Sequence, residues 1–181
     1  MRIIAGKHKG RKIELAKEAT GVRPTSEFAR EAIFNILTHN YSVVDKDVLD
    51  VFCGTGAFGL EALSRGAKSV TFIDQSREAL LSARHNATRM NEAEHVEFVQ
   101  ANATKLGRAR KSYGLIFLDP PYFEKLLPPT LESLHNGGWI SPDGLIVAEH
   151  DAKENIEFPP MFEAIDQRKY GRALVRLLKL T

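Results

Sequence analysis

The sequence predicts a doubly wound α/β fold, with a mainly parallel sheet of seven strands covered by helices. From residue 47 onward, short apolar runs typical of strands alternate with segments of helical periodicity. This alternation produces parallel sheets with helical crossovers. The last two strand-like runs, residues 162–169 and 173–180, follow each other across Tyr170-Gly171. So short a connection predicts an antiparallel pair that closes the sheet.

A prefix precedes the alternating pattern. Residues 2–5 and 11–15 are β-prone and flank a basic loop bracketed by Gly6 and Gly10, which predicts a β-hairpin. A helix capped by Thr25 or Ser26 is expected next. The predicted buried face of this helix comprises Phe28, Ala29, Ala32, Ile33, Ile36 and Leu37. We expect residues 1–40 to form a hairpin-and-helix extension packed on a main domain of residues 41–181.

The main domain is predicted from five further apolar runs. They place parallel strands at residues 48–52, 69–73, 96–99, 115–118 and 144–148. Helices are expected to begin at residue 57 and to run from the cap Ser76 to about residue 90, and a third contains Leu126, Leu127, Leu131 and Leu134.

Composition excludes some classes and leaves others open. The net charge of the 181-residue chain is only +2, so charge alone does not indicate a nucleic-acid partner. Cys53 is the only cysteine, which excludes an intramolecular disulfide and favours a reducing cytoplasm. No base is recognisably paired with Cys53, so we do not expect it to be a nucleophile. Neither metal-ligand spacing nor a membrane-spanning run is present, so no metal and no membrane partner is expected.

Basic residues are concentrated near both ends of the chain. The first cluster contains Arg2, Lys7, Lys9, Arg11 and Lys12, and the second contains Arg168, Lys169, Arg172, Arg176 and Lys179. Two basic ends on a nearly neutral chain predict a one-sided patch that binds nucleic acid. A solvated surface is the alternative for each cluster. Arg23 and Arg30 lie outside the apolar stripe of the first helix. They are either surface charges or residues that reach the mouth of an active site.

The run of residues 115–118 ends in Asp119-Pro120-Pro121-Tyr122. The prolines lack an N–H and fix φ, so the chain leaves the sheet along a rigid path. Ligands of open α/β sheets bind at this carboxyl edge. A planar base can stack on Tyr122 while Asp119 and the Pro120 carbonyl accept hydrogen bonds from its amino group. A proline turn without such a role is the alternative.

A glycine-rich turn, Gly54-Thr55-Gly56-Ala57-Phe58-Gly59, follows the strand at residues 48–52. With Asp74 placed to hold a ribose, it fits any adenosine cofactor. Asp50 favours S-adenosylmethionine over NAD, because a buried acid is costly unless it is paired, for example with an α-amino group. The chain also lacks room for a separate substrate domain. Asn102 either pairs with adenine or is a simple turn residue. The expected cofactor-binding residues are Asp50, Phe52, Gly54, Thr55, Gly56, Asp74, Gln75, Asn102 and Ala103.

The order Asp50-x-Phe52-x-Gly54-x-Gly56, Asp74 and Asp119-Pro120-Pro121-Tyr122 resembles the Rossmann-like amino-methyltransferases. The prefix and first helices resemble the bacterial 16S ribosomal RNA guanine-N2 methyltransferase family of the RsmD type. The resemblance rests on residues 2–6, 10–11, 23–25 and 30–37 and on Glu61-Ala62-Leu63-Ser64-Arg65-Gly66. It covers nearly the whole chain.

The resemblance implies methylation of one guanine amino group in 16S ribosomal RNA, on the small subunit or its precursor, with S-adenosylmethionine as cofactor. Residues 119–122 are then the catalytic group. The expected RNA contacts are Arg2, Lys7, His8, Lys9, Arg11, Arg23, Thr25, Arg30, Tyr170 and Arg172. We expect a monomer. The alternatives are an exocyclic amine of adenine (N6) in RNA or DNA, an NAD-binding oxidoreductase, and a binding module without catalysis.

Overall fold

The computed structural model describes residues 1–14 and 27–181. The predicted helix caps Thr25 and Ser26 and the predicted RNA contacts Arg23 and Thr25 therefore lie outside the described residues, as does the end of the second hairpin strand.

One seven-stranded sheet organises the described chain, as predicted. Its strands are β1 (Asp47–Val51), β2 (Ser69–Asp74), β3 (Val96–Gln100), β4 (Tyr113–Leu118), β5 (Ile140–Asp151), β6 (Phe162–Tyr170) and β7 (Ala173–Leu180). Their order in the sheet is β3-β2-β1-β4-β5-β7-β6. The first five are parallel, and β7 runs antiparallel to both of its neighbours.

Helices cover both faces of this sheet. Helices α1 (Glu27–Asn40), α2 (Ala57–Ser64) and α3 (Arg77–Arg89) contribute to one core, whereas α4 (Leu127–Asn136) packs into the other. Helix α2 begins at the predicted residue, and Ser76 caps α3 by accepting a hydrogen bond from the Ala79 N–H. The rings of Phe34, Phe58 and Phe117 stack between α1, α2 and β4. Local apolar spacing therefore predicted the layers correctly.

Strand β5 is much longer than the predicted residues 144–148. At its start the register shifts, because Tyr113 pairs with Ile140 whereas Leu115 pairs with Leu145. At its end the strand continues to Asp151 because Ala173 of β7 pairs with it. Neither extension is marked by an apolar run in the sequence. Each forms because it pairs with a neighbouring strand, which local sequence does not reveal.

Within residues 1–14 the N-terminal segment turns back on itself and forms an isolated antiparallel bridge between Arg2 and Lys12. It is anchored to α2 by Glu61, a buried carboxylate that accepts hydrogen bonds from the Ile4 and Ala5 N–H groups at 2.8 and 3.1 Å. At Gly6 a Cβ atom would lie 1.8 Å from the Ser64 carbonyl oxygen, so only glycine fits there. The segment therefore lies directly against the main sheet's helices.

Two predictions about α1 are wrong. Phe28 was expected in the core but is 70% exposed, and the core position is taken by Phe34. Arg30, a predicted RNA contact, is 0% exposed and donates to the Arg2 carbonyl oxygen at 2.5 Å. The N-terminal segment covers this side of α1, which helical spacing alone does not reveal. In the described structure Arg30 ties that segment to α1 instead of facing solvent.

Candidate active site

The predicted site residues meet where the order of the strands reverses, between β1 and β4. Val51 of β1 pairs with Ile73 of β2 on one side and with Leu118 of β4 on the other. The segments that follow these strands, residues 52–56, 74–75 and 119–122, therefore leave the same sheet edge side by side. Open α/β sheets bind their ligands at this switch point.

The turn after β1 has an unusual backbone. Phe52, Gly54 and Gly56 all have positive φ, of 60°, 51° and 79°. A Cβ on Gly56 would press against Ala83 and Phe72 at 3.1 Å, so this glycine permits close packing of α2. A Cβ on Gly54 would point into open space, with no atom within 4 Å. Gly54 thus leaves room beside the backbone, and Phe52 keeps a conformation that is costly for a bulky residue.

Asp50 is the most strongly perturbed acid at this edge. It is buried within β1, and its Oδ2 accepts a hydrogen bond of 2.9 Å from the Gly59 N–H. Burial raises the pKa of Asp50 to about 8, and the nearby charge of Asp74 adds to this effect. A carboxyl group held in this way gains from a cationic partner, because a cation stabilises its ionised form.

Asp74 ends β2 and braces the glycine turn. Its Oδ2 accepts a hydrogen bond from the Gly54 N–H at 3.1 Å, and its Oδ1 accepts one from the Ser76 N–H at 2.9 Å. A carboxylate has about four acceptor positions. Two therefore remain for hydroxyl groups such as those of a ribose. This geometry fits the adenosine-binding role predicted for Asp74.

The remaining predicted cofactor contacts line the same edge. The Asn102 Oδ1 accepts hydrogen bonds from the N–H and Oγ1 of Thr104 at 3.0 and 2.8 Å, so this side chain caps a short turn. Its amide nitrogen is the part left to meet a base. The Thr55 carbonyl oxygen is held by Asn86 at 3.1 Å. Gln75 is exposed and Ala103 is buried.

The Asp-Pro-Pro-Tyr motif of residues 119–122 begins immediately after β4. Pro120 is buried, Pro121 is exposed, and Asp119 and Tyr122 are half-buried. The Tyr122 hydroxyl donates a hydrogen bond of 2.6 Å to Oε1 of Glu149. Burial and the negative charge of Glu149 raise the pKa of Tyr122 far above its ordinary range, so the phenol remains a neutral donor.

Arg172 joins this motif from the turn between β6 and β7. Its Nε donates a hydrogen bond to Oδ2 of Asp151, a buried carboxylate at the end of β5. Its guanidinium lies 5.6 Å from the ring centroids of both Tyr122 and Phe123. The structure thus brings a predicted RNA contact of the C-terminal cluster against the Asp-Pro-Pro-Tyr motif.

The basic residues of the N-terminal loop fall into an anchoring pair, Lys7 and His8, and an exposed pair, Lys9 and Arg11. The Lys7 Nζ and His8 Nε2 lie 2.6 and 2.5 Å from Oε1 of the buried Glu92, so both help to anchor the loop to the end of α3. These ion pairs and hydrogen bonds lower the pKa of Glu92 against the opposing effect of its burial. Lys9 and Arg11 are exposed. They are better placed than Lys7 and His8 to meet a partner.

Sequence reasoning missed Glu149, Asp151 and Phe123. The signal for the first two was present, because the polar run of residues 149–151 follows an apolar strand at the same edge as Asp119. The rule that identified Asp74 and Asp119 applies there equally. Phe123 had no comparable signal, since its exposure depends on the path of the chain after the prolines.

The described residues contain no group of three or more His, Cys, Asp or Glu arranged to hold a metal ion. Within residues 1–14 and 27–181, no helix has the length and apolar character required to cross a bilayer.

A glycine turn after β1, an acid at the end of β2 and a proline-bounded acid after β4, on this sheet, are typical of Rossmann-like methyltransferases, and the chain belongs to that class. Residues 1–179 match the model of a family described as Conserved hypothetical protein 95. The chain is a member of this family, the RsmD type of methyltransferase.

Its relatives bear names of the same kind. Ribosomal RNA small subunit methyltransferase D of Escherichia coli is 33% identical over 98% of this chain and 88% of its own length. The Buchnera aphidicola protein of the same name is 35% identical over 87% of this chain and 81% of its own. The solved structure of yhhF from Escherichia coli, 31% identical, has a TM-score of 0.84 and covers 99% of this chain and 97% of that one. Methyltransferases of this class generally use S-adenosylmethionine.

Proposed function

We propose that this protein transfers the methyl group of S-adenosylmethionine to the exocyclic N2 amine of one guanine in 16S ribosomal RNA. The observation that carries the proposal is the Asp-Pro-Pro-Tyr motif at the switch point beside the glycine turn. It occurs in a chain that is 33% identical, over 98% of its length, to a ribosomal RNA small subunit methyltransferase. The proposed partner is the small subunit or its precursor, and the proposed location is the cytoplasm. The enzyme is proposed to act as a monomer.

The residues at this edge fit S-adenosylmethionine. When bound, this cofactor supplies a methyl group activated by a sulfonium. The free acceptor positions of Asp74 suit its ribose hydroxyls, and the open space beside Gly54 leaves room for its chain. Asp50 suits its α-ammonium group. We further assign contacts to Phe52, Thr55, Gly56, Gln75, Asn102 and Ala103, which line the same edge.

Asp50 also favours this cofactor over NAD. Its pKa of about 8 means that an unpaired Asp50 holds its proton at neutral pH. A cationic ammonium draws this group into its ionised form and gains an ion pair, whereas that ionised form would repel a pyrophosphate. The competing oxidoreductase function also leaves residues 119–122 without a role.

Methyl transfer to an exocyclic amine requires alignment more than strong base catalysis. The amine lone pair is delocalised into the ring of the base, so it is a poor nucleophile. If Asp119 and the Pro120 carbonyl each accept an N–H, the nitrogen is drawn toward tetrahedral geometry. Orientation of this kind recovers about 7–11 kcal/mol in well-positioned reactions. The bound cofactor would supply the methyl group, which the amine nitrogen would accept as the methyl group's bond to sulfur is lost, and Asp119 or water would take the surplus amine proton.

Tyr122 is the proposed stacking surface for the target base. Its hydrogen bond to Glu149 fixes the hydroxyl end of the ring, and the Arg172 guanidinium lies beside it. Guanine fits the acid in this motif, because its N1–H and N2–H are adjacent donors that one ionised carboxylate can accept together. Adenine offers one amino donor beside a ring acceptor and matches Asp119 less well.

The proposed RNA contacts lie at the basic loop and at the turn between β6 and β7. Arg2, Lys9, Arg11 and Arg172 are exposed cations, and Tyr170 is a half-buried ring. Lys7 and His8 contribute mainly by fixing the loop through Glu92, although Lys7 also remains largely exposed.

Nucleoside mapping tests the proposal. Small subunits from a bacterial strain that lacks its own RsmD-type enzyme are incubated with the purified protein and labelled cofactor, and their RNA is digested and analysed by mass spectrometry. We expect N2-methylguanosine at one position. Labelled N6-methyladenosine, or no label in RNA, would contradict the proposed acceptor. Calorimetry with S-adenosylhomocysteine and with NAD tests the cofactor separately.

A further inference from the structure

Two aromatic rings are exposed near Arg172 or the Asp-Pro-Pro-Tyr motif: Phe123 directly follows the motif, and Phe28 packs against Tyr170, two residues before Arg172. In the part of the chain that the structure describes, five large apolar side chains are exposed. Phe28, at 70%, and Phe123, at 53%, are the aromatic ones among them. A phenylalanine left in water forfeits the favourable free energy of burying its ring. Exposed rings near a binding site therefore invite a functional explanation.

Phe123 is held in an uncommon conformation. Its φ is 65°, a left-handed value that bulky residues rarely adopt. Its N–H donates a hydrogen bond of 2.9 Å to Oε1 of Glu154, whose Oε2 accepts one of 2.9 Å from the Asp151 N–H. The surrounding structure thus maintains a strained backbone that presents this ring to solvent. Strain that is maintained in this way is typical of functional segments.

Arg172 connects Phe123 to the catalytic motif. Its guanidinium lies 5.6 Å from the ring centroids of both Tyr122 and Phe123. The buried Asp151 holds its Nε, while 63% of the arginine side chain remains exposed. A cation beside two rings extends the aromatic surface and can also meet a phosphate.

A second aromatic pair lies across the turn between β6 and β7. The rings of Phe28 and Tyr170 are 6.3 Å apart and pack edge to face, with an interplanar angle of 81°. Tyr170 is the last residue of β6, and Gly171 turns the chain with a φ of 60° directly into Arg172. The turn therefore connects the Phe28–Tyr170 pair to Arg172, which lies beside Tyr122 and Phe123.

We propose that Phe28, Tyr170, Arg172 and Phe123 form an aromatic track that binds single-stranded RNA next to the target guanine. The inference rests on the proposed function, because the track starts beside the stacking surface at Tyr122. A base must be swung out of its stack to reach residues 119–122, which leaves the neighbouring bases without stacking partners. Rings and an arginine replace those partners with little dependence on sequence.

The charges around the aromatic track favour RNA over a peptide. Arg168 and Lys169 are exposed and immediately precede Tyr170 on β6. Arg168 and Arg172 each pair with an acid, Asp166 and Asp151 respectively, whereas Lys169 adds positive charge beside Tyr170. Cations interleaved with aromatic rings are the usual surface for single-stranded nucleic acid.

The test compares the double variant Phe28→Ala/Phe123→Ala with the parent and with Leu81→Ala. Leu81 is a matched control because it is 52% exposed but lies on α3. The first measurement is binding of a single-stranded oligoribonucleotide of about ten nucleotides, in which 2-aminopurine flanks one guanine. The second is kcat/KM for methylation of small subunits. Thermal unfolding of all variants verifies that they are folded.

We expect the double variant to lose about tenfold or more in both oligonucleotide affinity and kcat/KM, on the scale of lost base stacking. Leu81→Ala is expected to match the parent. Phe123→Trp, which keeps a stacking ring, should restore the affinity that Phe123→Ala loses.

Each other result decides a different point. Equal oligonucleotide binding by the parent and the double variant would overturn the aromatic track. If kcat/KM falls while oligonucleotide binding does not change, the surface contacts a protein of the particle and the RNA assignment is wrong. If the parent methylates no RNA but the double variant still loses oligonucleotide affinity, the aromatic track stands and the proposed function fails.

Discussion

The hydroxyl of Tyr122 donates a hydrogen bond of 2.6 Å to Oε1 of Glu149, which joins the segment after β4 to the end of β5. Glu149 is buried, so its carboxylate depends on the groups that surround it. This hydrogen bond fixes the hydroxyl end of the Tyr122 ring to β5. For the base stacking that we propose at Tyr122, a ring held in this way lowers the entropy that is lost on binding.

Removal of the Tyr122 hydroxyl tests this pair. Tyr122→Phe keeps the ring but removes a donor from a buried carboxylate, so we expect the free energy of unfolding to fall by about 1–3 kcal/mol. Urea unfolding measures the change. In a double-mutant cycle with Glu149→Gln, additive losses would mean that the two side chains are not coupled.

Asp119→Asn should abolish most of the turnover. The substitution keeps the size of the side chain but places an NH₂ donor where guanine also offers donors. We expect a loss of about 10²-fold or more, the scale observed when one oriented polar group is removed from a reacting centre. Single-turnover methylation of small subunits measures it, and cofactor affinity should stay at the parental value. A variant within about threefold of the parent would reduce Asp119 to a scaffolding role.

Asp74→Ala should weaken cofactor binding. The carboxylate accepts a hydrogen bond from the Gly54 N–H and has acceptor positions left for ribose hydroxyls. Its loss leaves the N–H and the hydroxyls without this acceptor. We expect a cost of about 1–3 kcal/mol, or roughly ten- to hundred-fold in affinity. Calorimetry with S-adenosylhomocysteine measures the effect. Parental affinity in this variant would remove Asp74 from the site.

Asp50→Asn should stabilise the ligand-free protein increasingly as pH rises. The pKa of Asp50 is about 8 in the folded chain against an ordinary value of 3.8. Between these values the folded state holds a proton that the unfolded state has lost. The stability contributed by Asp50 is thus complete below pH 3.8 and is lost as pH rises through about 8.

Asparagine does not titrate, so the melting temperature of Asp50→Asn should exceed that of the parent more at about pH 8 than at about pH 5. Circular dichroism across this range measures the gap. A gap that is constant with pH would show that Asp50 is ionised throughout. Cofactor affinity of the same variant should fall, because the partner proposed for the α-ammonium is lost.

Lys9→Ala/Arg11→Ala should weaken RNA binding without changing cofactor affinity. Both side chains are exposed, whereas Lys7 pairs with the buried Glu92. We expect the slope of log K against log salt to fall by roughly 0.7–0.9 for each phosphate that these cations no longer neutralise. Filter binding of small-subunit RNA at several salt concentrations measures it.

Lys7→Ala serves as the comparison. It should lower the melting temperature, because it removes a cation that pairs with the buried Glu92. If the salt slope of the Lys9→Ala/Arg11→Ala variant is unchanged and its activity persists, the loop is only a solvated surface.

The sequence by itself determined the elements that we propose carry the chemistry. The glycine turn after β1, Asp74 at the end of β2 and Asp119 directly after β4 are all located by patterns within a few residues. Apolar runs mark the strands, and glycine and proline mark where the chain leaves them. For the same reason helix α2 begins at the predicted residue.

Only the tertiary structure decided which charges and rings face solvent. Arg30 and Phe28 both lie on α1, yet the arginine is buried and the phenylalanine exposed, because the N-terminal segment covers one side of that helix. His8 meets Glu92 across 84 residues of sequence, and Tyr122 meets Glu149 across 27. Local spacing carries no information about such partners, since the free energy that pairs them is gained only when distant segments pack together.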